Sequence, residues 1–188
     1  MTTLVFLLEE PSAKDALEGV LPKIIPRDVR VEYLLFEGKQ DLEKRMARKI
    51  RGWLDKHSLF VVLRDQDNGD CQVIKQRLME RCGEGGRPET LVRIACRELE
   101  SWFVGDWQAV GEAFNLPNLH KQSAKAIYRN PDKLGSSVTE LRKFIPTYQK
   151  RDGARRIGHH LDVERNRSRS FQVFVQGLNR LLAEQGAA

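Results

Sequence analysis

Apolar residues fall in two rhythms along the chain, and the change of rhythm divides it. Thr3–Leu8 is apolar almost without a break and stops abruptly at Glu9, Glu10, Pro11 and Ser12, which predicts a short buried strand. Ser12 is suited to cap a helix. Leu17, Val20, Leu21, Ile24 and Ile25 follow at three- and four-residue spacing, and Pro22 and Pro26 end that helix. Residues 30–36 (RVEYLLF) predict a second strand. After Gly38, residues 41–56 place Leu42, Met46, Ile50, Trp53 and Leu54 on one helical face. Residues 59–63 (LFVVL) are apolar on both faces, which predicts a central, parallel strand ending in RDQDNGD. Residues 71–82 predict a helix with Val73, Ile74, Leu78 and Met79 inward; 83–87 form a loop, and 90–96 (TLVRIAC) a fourth strand.

Strand alternates with helix four times, the pattern of an α/β fold with a parallel sheet of about four strands, flanking helices and right-handed crossovers. After about residue 105 the strand pattern vanishes. Short helices punctuated by Pro117, Pro131 and Pro146 take over, and an amphipathic helix spans 171–183. The expected organisation is an α/β domain over 1–105, with a mostly helical, basic extension over 106–188 packed on it.

Composition adds limits. With 188 residues, 40% hydrophobic and 31% charged, the chain can bury a core without disulfides or structural metal and is neither disordered nor fibrous. The longest apolar run is far short of the ~20 residues that span a bilayer. No basic segment followed by an apolar one suggests secretion. Cys71, Cys82 and Cys96 fit no zinc spacing and are expected to be reduced thiols of a cytoplasmic protein.

The net charge of +6 is unevenly placed. Residues 121–170 carry 13 Lys/Arg against 5 Asp/Glu, and residues 1–120 carry 18 against 20. A basic block of this kind attracts phosphate polyanions, although charge alone favours a solvated, salt-laced surface.

The acids fall where three strands end: Glu9 and Glu10, Asp65 and Asp67, Glu98 and Glu100. In an open parallel sheet all these ends lie on one edge, where ligands bind. Carboxylates gathered there raise one another's pKa, and a hard cation such as Mg²⁺ or Mn²⁺ neutralises them. Each acid could instead cap the helix that follows. Glu98 and Glu100 share a face if the strand continues and diverge by about 200° on a helix. A calcium loop starting at Asp65 fails because its twelfth position is Gln76.

These residues bring a family into view. Glu9 after the first strand and Asp65-x-Asp67 after a later one resemble the TOPRIM fold of topoisomerases, primases and nucleases of the overcoming-lysogenization-defect type. The segments LLEEPSAKDALEGVLP, VVLRDQDNGDC, RIACRELESWFVGD, YRNPDKLG, YQKRDGARRIGHHLD and NRSRSFQVFVQGL resemble a bacterial TOPRIM-like domain family of unknown function, often encoded beside ABC-type ATPases in phage-defence contexts. The resemblance implies that Glu9 is a general acid/base or metal ligand and that Asp65 and Asp67 hold Mg²⁺ or Mn²⁺. It also implies that Glu98 and Glu100 complete a second site. The nuclease branch shows Val-Glu-Gly-x-Ser/Thr-Glu at the first strand. Here Leu8-Glu9-Glu10-Pro11-Ser12-Ala13 departs at the glycine and the last glutamate, leaving open which of Glu9 and Glu10 faces the metal.

In the basic block, Lys150, Arg151, Arg155, Arg156 and Arg167 are the candidates for nucleic-acid contact, with Arg165, Arg169 and Tyr148 extending the patch. His159 and His160 are adjacent and point apart, so a shared metal is not expected. Trp102, Phe103 and Trp107 are expected to join the helical part to the sheet. No GxSxG, GxxxxGK[ST] or GxGxxG motif is present. The expected function is divalent-metal-dependent cleavage of nucleic-acid phosphodiesters, with an ATPase partner. The alternative is a non-catalytic subunit that binds nucleic acid or a partner.

Overall fold

Two unbroken apolar runs take the middle of the sheet, because only there are both faces of a strand covered. In the computed structural model, which describes residues 2–186, β1 (Thr3–Leu8) and β3 (Leu59–Asp65) lie side by side. β2 (Arg30–Leu35) and β4 (Leu91–Ala95) flank them, and all strands are parallel in the order β2-β1-β3-β4. The register sets Leu8 between Leu35 and Leu63, and Asp65 beside Ala95. The chain winds outward from β1 to β2, then crosses back to β3 and on to β4. Its direction therefore reverses between β1 and β3.

Side chains alternate between two packed layers. Val5, Leu7, Phe60 and Val62 face α2 (Lys39–Arg51) and α3 (Cys71–Glu84), meeting Leu42, Met46, Ile50, Ile74 and Leu78. Leu4, Phe6, Leu8, Val61 and Leu63 face α1 (Pro11–Val20) and the helices that follow β4. These are α4 (Glu100–Val104), α5 (Trp107–Phe114), α6 (Ser137–Arg142), α7 (Lys150–Gly158) and α8 (Arg169–Gly186). Short 3-10 turns at Leu119–Ala124, Ala126–Tyr128 and Pro131–Lys133 link them. Among the described residues no strand follows β4.

Trp102 is fully buried, 5.2 Å from the ring of Phe171 and 5.0 Å from that of Phe174. Trp107 packs on Tyr128 and Phe144. These rings and Phe103 join the helical part to the sheet, as expected. Each fully buried ring contributes roughly 1.5–3 kcal/mol.

Two helical faces differ from expectation. α2 stops at Arg51, where Gly52 takes the C-terminal cap, so Trp53 and Leu54 do not continue its apolar face. Trp53 folds back edge-on to Phe60 and donates Nε1–H to Ser58, while Leu54 is exposed. In α3 the inward stripe is Ile74, Leu78 and Cys82, one residue per turn, and Val73 and Met79 face solvent. Asp70 caps α3 by accepting from the backbone of Gln72 and Val73.

α1 and α7 set the geometry of the sheet's C-terminal rim. They run side by side in the same direction, with Gly158 seated on Ala16 and Gly19 on Gly158. A Cβ on either glycine would overlap partner backbone, which has no side-chain freedom to yield. Lys23 Nζ donates to the carbonyls of His159 and Leu161 at 2.6 and 2.9 Å, a cation placed at the end of α7 where the helix dipole favours one. α7 is thereby clamped with its first residue, Lys150, at the rim.

Gly158→Ala tests this clamp. Helix propensity favours alanine by about 1 kcal/mol, but the added methyl meets backbone. The expected net loss is about 1–3 kcal/mol, a fall of a few degrees in Tm by thermal circular dichroism. A Tm at or above wild type would show that the two helices part freely.

Candidate functional site

Ligands of open parallel sheets bind outside the strand carboxyl ends where the winding direction reverses, here between β1 and β3. Glu9 is the first residue past β1 and Asp65 the last of β3, so topology alone brings these two acids together. Glu9 is buried, and its Oε2 accepts the Asp65 backbone N–H at 3.2 Å, with Arg64 Nε at 3.7 Å. A cavity of about 10 Å³, room for roughly one water, is lined by Glu9, Glu10, Ser12, Ala13, Leu63, Arg64, Asp65 and Leu99.

The tails of β3 and β4 are laced together beyond the sheet. Gln66 N–H donates to Ala95 O at 2.9 Å, Asp67 N–H to Arg97 O at 2.7 Å, and Arg97 N–H to Gln66 Oε1 at 3.1 Å. Asp67 and Arg97 both take the left-handed conformation, with φ of 54° and 62°. Such backbone strain in non-glycine residues concentrates at functional sites. The turn at Arg97 ends the strand geometry, so Glu98 lies in the turn and Glu100 opens α4. The two acids therefore do not share a strand face.

Glu100 is 1% exposed. Its Oε1 accepts the Tyr148 hydroxyl at 3.4 Å, and its Oε2 has no hydrogen-bond partner. Lys150 Nζ stands 3.9 Å from that oxygen and 3.6 Å from Glu10 Oε2, which accepts a hydrogen bond from Ser12 Oγ. Electrostatics mark the crowding. Burial raises the Glu100 pKa to about 7 against the pull of Lys150, with Glu98 adding repulsion. Burial, then Glu100 and Glu9, hold Asp65 well above the usual carboxylate range. Glu9 is raised by burial, with Arg64 opposing. Burial would lower the Lys150 pKa, yet Glu100, Glu10 and Asp65 keep it above the ordinary value. Lys150 and Glu10 are both well exposed, so solvent screens that pair to about 1 kcal/mol or less.

Of the acids expected from sequence, Glu9, Asp65 and Glu100 gather at one rim, joined by Glu10. Asp67 pairs with Lys39 at 2.7 Å while still adding repulsion to Glu9. Glu98 accepts from Ser136 Oγ and Val138 N–H, tying down the first turn of α6. Among the described residues no three His, Cys, Asp or Glu side chains stand in metal-holding geometry. The donor chemistry nevertheless fits a hard cation: the gathered donors are all carboxylate oxygens, one of them buried and unpartnered.

The basic candidates are largely engaged within the fold. Lys150 points into the acid cluster. Arg151 grips Asp15 through two bonds of 2.8 and 3.2 Å, and Arg155 reaches the same acid at 4.0 Å; both remain 61% exposed. Arg156 lies 4.3 Å over the Phe114 ring and donates to Ala113 O. Arg167 donates to Ser123 O. Arg165 forms a bidentate pair with buried Asp106. His160 meets Glu112, away from the rim.

Sequence reasoning passed over Arg64, a buried guanidinium held between Glu9 and Glu43. Its signal was a charge ending an unbroken apolar strand, LFVVLR. A roomier groove of about 560 Å³ lies elsewhere, lined by Gln108, Glu112, Leu116, Pro117 and His120. Its Glu112 is held below the carboxylate range by Gln108 and then His160, so it lacks the crowding seen at the rim.

The burial of Glu100 has a stability signature. Because the Glu100 pKa rises from 4.5 to about 7 on folding, its cost is absent below about pH 4.5, builds as pH rises, and is complete above about 7. Relative to Glu100→Gln, the wild type is expected to lose ~3 kcal/mol across that window in denaturant melts. Parallel pH profiles for the two proteins would refute the raised Glu100 pKa.

A family model described as a domain of unknown function, DUF4276, matches residues 8–179. No curated protein and no solved structure matches the chain. The matched span takes in all the gathered acids, the clamped helices and most of α8, and the chain belongs to the DUF4276 family of domains of unknown function.

Proposed function

We propose that this protein is a TOPRIM-like, divalent-metal-dependent phosphodiesterase that acts on nucleic acid, related to the nucleases of the overcoming-lysogenization-defect type. In phage defence it would work beside an ABC-type ATPase. The observation that carries the reading is the gathering of Glu9, Asp65 and Glu100 at the reversal point of a parallel sheet, with a buried Glu100 oxygen left unpartnered. The order of strands and the acids after β1 and β3 are in keeping with that fold.

Mg²⁺ or Mn²⁺, when bound, would supply Lewis-acid stabilisation of charge on the phosphate. Glu9, Asp65 and Glu100 are the residues that would hold it, with Glu10 at their edge. Glu9, fixed by the Asp65 N–H and by Arg64, is placed to take or hold a proton beside the strand ends. Tyr148, packed on Gly153, keeps Glu100 facing the rim. Arg151 and Arg155, anchored on Asp15 yet open to solvent, are placed to meet phosphates alongside.

The second reading, a non-catalytic subunit binding nucleic acid or a partner, is favoured by the lack of three converged metal-capable side chains among the described residues. Incubation with single-stranded and plasmid DNA and with RNA, in Mn²⁺, Mg²⁺ or EDTA, separates the two. Metal-dependent cleavage is expected. Asp65→Asn should reduce it by about 10²-fold or more while circular dichroism stays unchanged. Asp67→Asn, already paired with Lys39, should change it by no more than about threefold. Binding without cleavage, or cleavage surviving Asp65→Asn, would overturn the catalytic reading.

A further inference from the structure

We infer that the Lys150 ammonium occupies a cation position within the acid cluster of the metal-free protein, and that a hard divalent cation enters by exchange with it. The inference rests on the metal-dependent reading above and specifies how its site is kept before loading.

The way Lys150 is held carries the inference. Its Nζ lies 3.6 and 3.9 Å from Glu10 and Glu100, beyond the range of a hydrogen bond. Among the described residues no hydrogen bond reaches it. The neighbouring cation one residue on is locked: Arg151 makes two bonds, of 2.8 and 3.2 Å, to the Asp15 carboxylate. Lys150 is instead held by charge alone, without direction, in the manner of a counter-ion.

The position it fills is unfinished. Glu100 Oε2 is buried, faces the ammonium and accepts nothing. An ammonium 3.9 Å away does not complete such an oxygen, whereas a hard dication coordinates carboxylate oxygen directly at about 2.0–2.2 Å. Asp65 stands close enough to feel both the Glu100 carboxylate and the Lys150 ammonium, with Glu9 on its other side.

The exit is also built. The Lys150 side chain is 40% exposed, and its flexible stem can swing to solvent without moving the backbone. α7 itself is clamped on α1 by Gly19, Gly158 and the Lys23 bonds. The carboxylates therefore stay in place while the cation among them changes.

Mn²⁺ titration of the full chain, followed by electron paramagnetic resonance, tests the exchange. Lys150→Met should bind Mn²⁺ about tenfold more tightly than wild type, the scale of removing an internal competitor. Lys150→Arg, which keeps the charge, should bind no more tightly than wild type. In the wild type, Mn²⁺ should accelerate labelling of Lys150 by an amine-reactive ester, read by mass spectrometry, and this readout decides if Lys150→Met does not fold. Mn²⁺ binding to wild type with no gain in Lys150→Met and no faster labelling overturns the exchange and leaves the metal reading standing. No Mn²⁺ binding to any of the three proteins overturns both.

Discussion

Carboxylates held close together with too little positive charge between them are the constraint on which the rest of this molecule turns. Glu9 and Asp65 are carried to one place by adjacent strand ends, and Glu100 is delivered by the turn after β4. None can retreat, because Glu9 directly follows β1, Asp65 ends β3 and Glu100 opens α4. Burial makes ionised oxygens costly, and proximity adds repulsion. The fold answers with Arg64 from within the sheet and Lys150 from α7. Arg64 is locked by a hydrogen bond to Glu43; Lys150 makes no hydrogen bond to either of its acids.

That difference gives the helical part of the chain a role beyond covering the sheet. α7 belongs to the stretch with the strongest positive charge, yet its first residue completes an acidic site belonging to β1, β3 and α4. Several contacts hold it to that task. Glycines allow α1 and α7 to touch at the backbone. Lys23 secures the far end of α7. Asp106 joins the start of α5 to the loop before α8 through Arg165 and the backbone of Asp162. Asp132 secures the start of α8 by accepting from Ser168 and Ser170. The Trp102, Phe171 and Phe174 rings then bind α4 and α8 over the same face of the sheet.

Much of the scaffold was legible in the order of residues. LVFLL and LFVVL announce central strands because an uninterrupted apolar run suits only a strand buried on both faces. The alternation with helical spacing announces a parallel sheet. Errors came at helix ends and edges: Gly52 closed α2 before Trp53 and Leu54, and α3 buried only one residue per turn, leaving Val73 and Met79 outside. The candidate acids were legible in part. Glu9 and Asp65 follow from strand ends alone. Asp67 and Glu98 have the same spacing, yet their backbone turns send them to Lys39 and to the start of α6.

Local order along the chain thus specified which segments form strands, that those strands run parallel, and that acids stand at their ends, because hydrophobic period and chain connectivity act over short distances. It did not specify where the basic residues point. Lys150 reaching Glu10 and Glu100, Arg151 reaching Asp15, and Arg165 reaching Asp106 join positions fifty or more residues apart. Only helix packing decides such pairings. A charge on a helix face has no partner until another element is pressed against it, and here two glycines set how closely that happens.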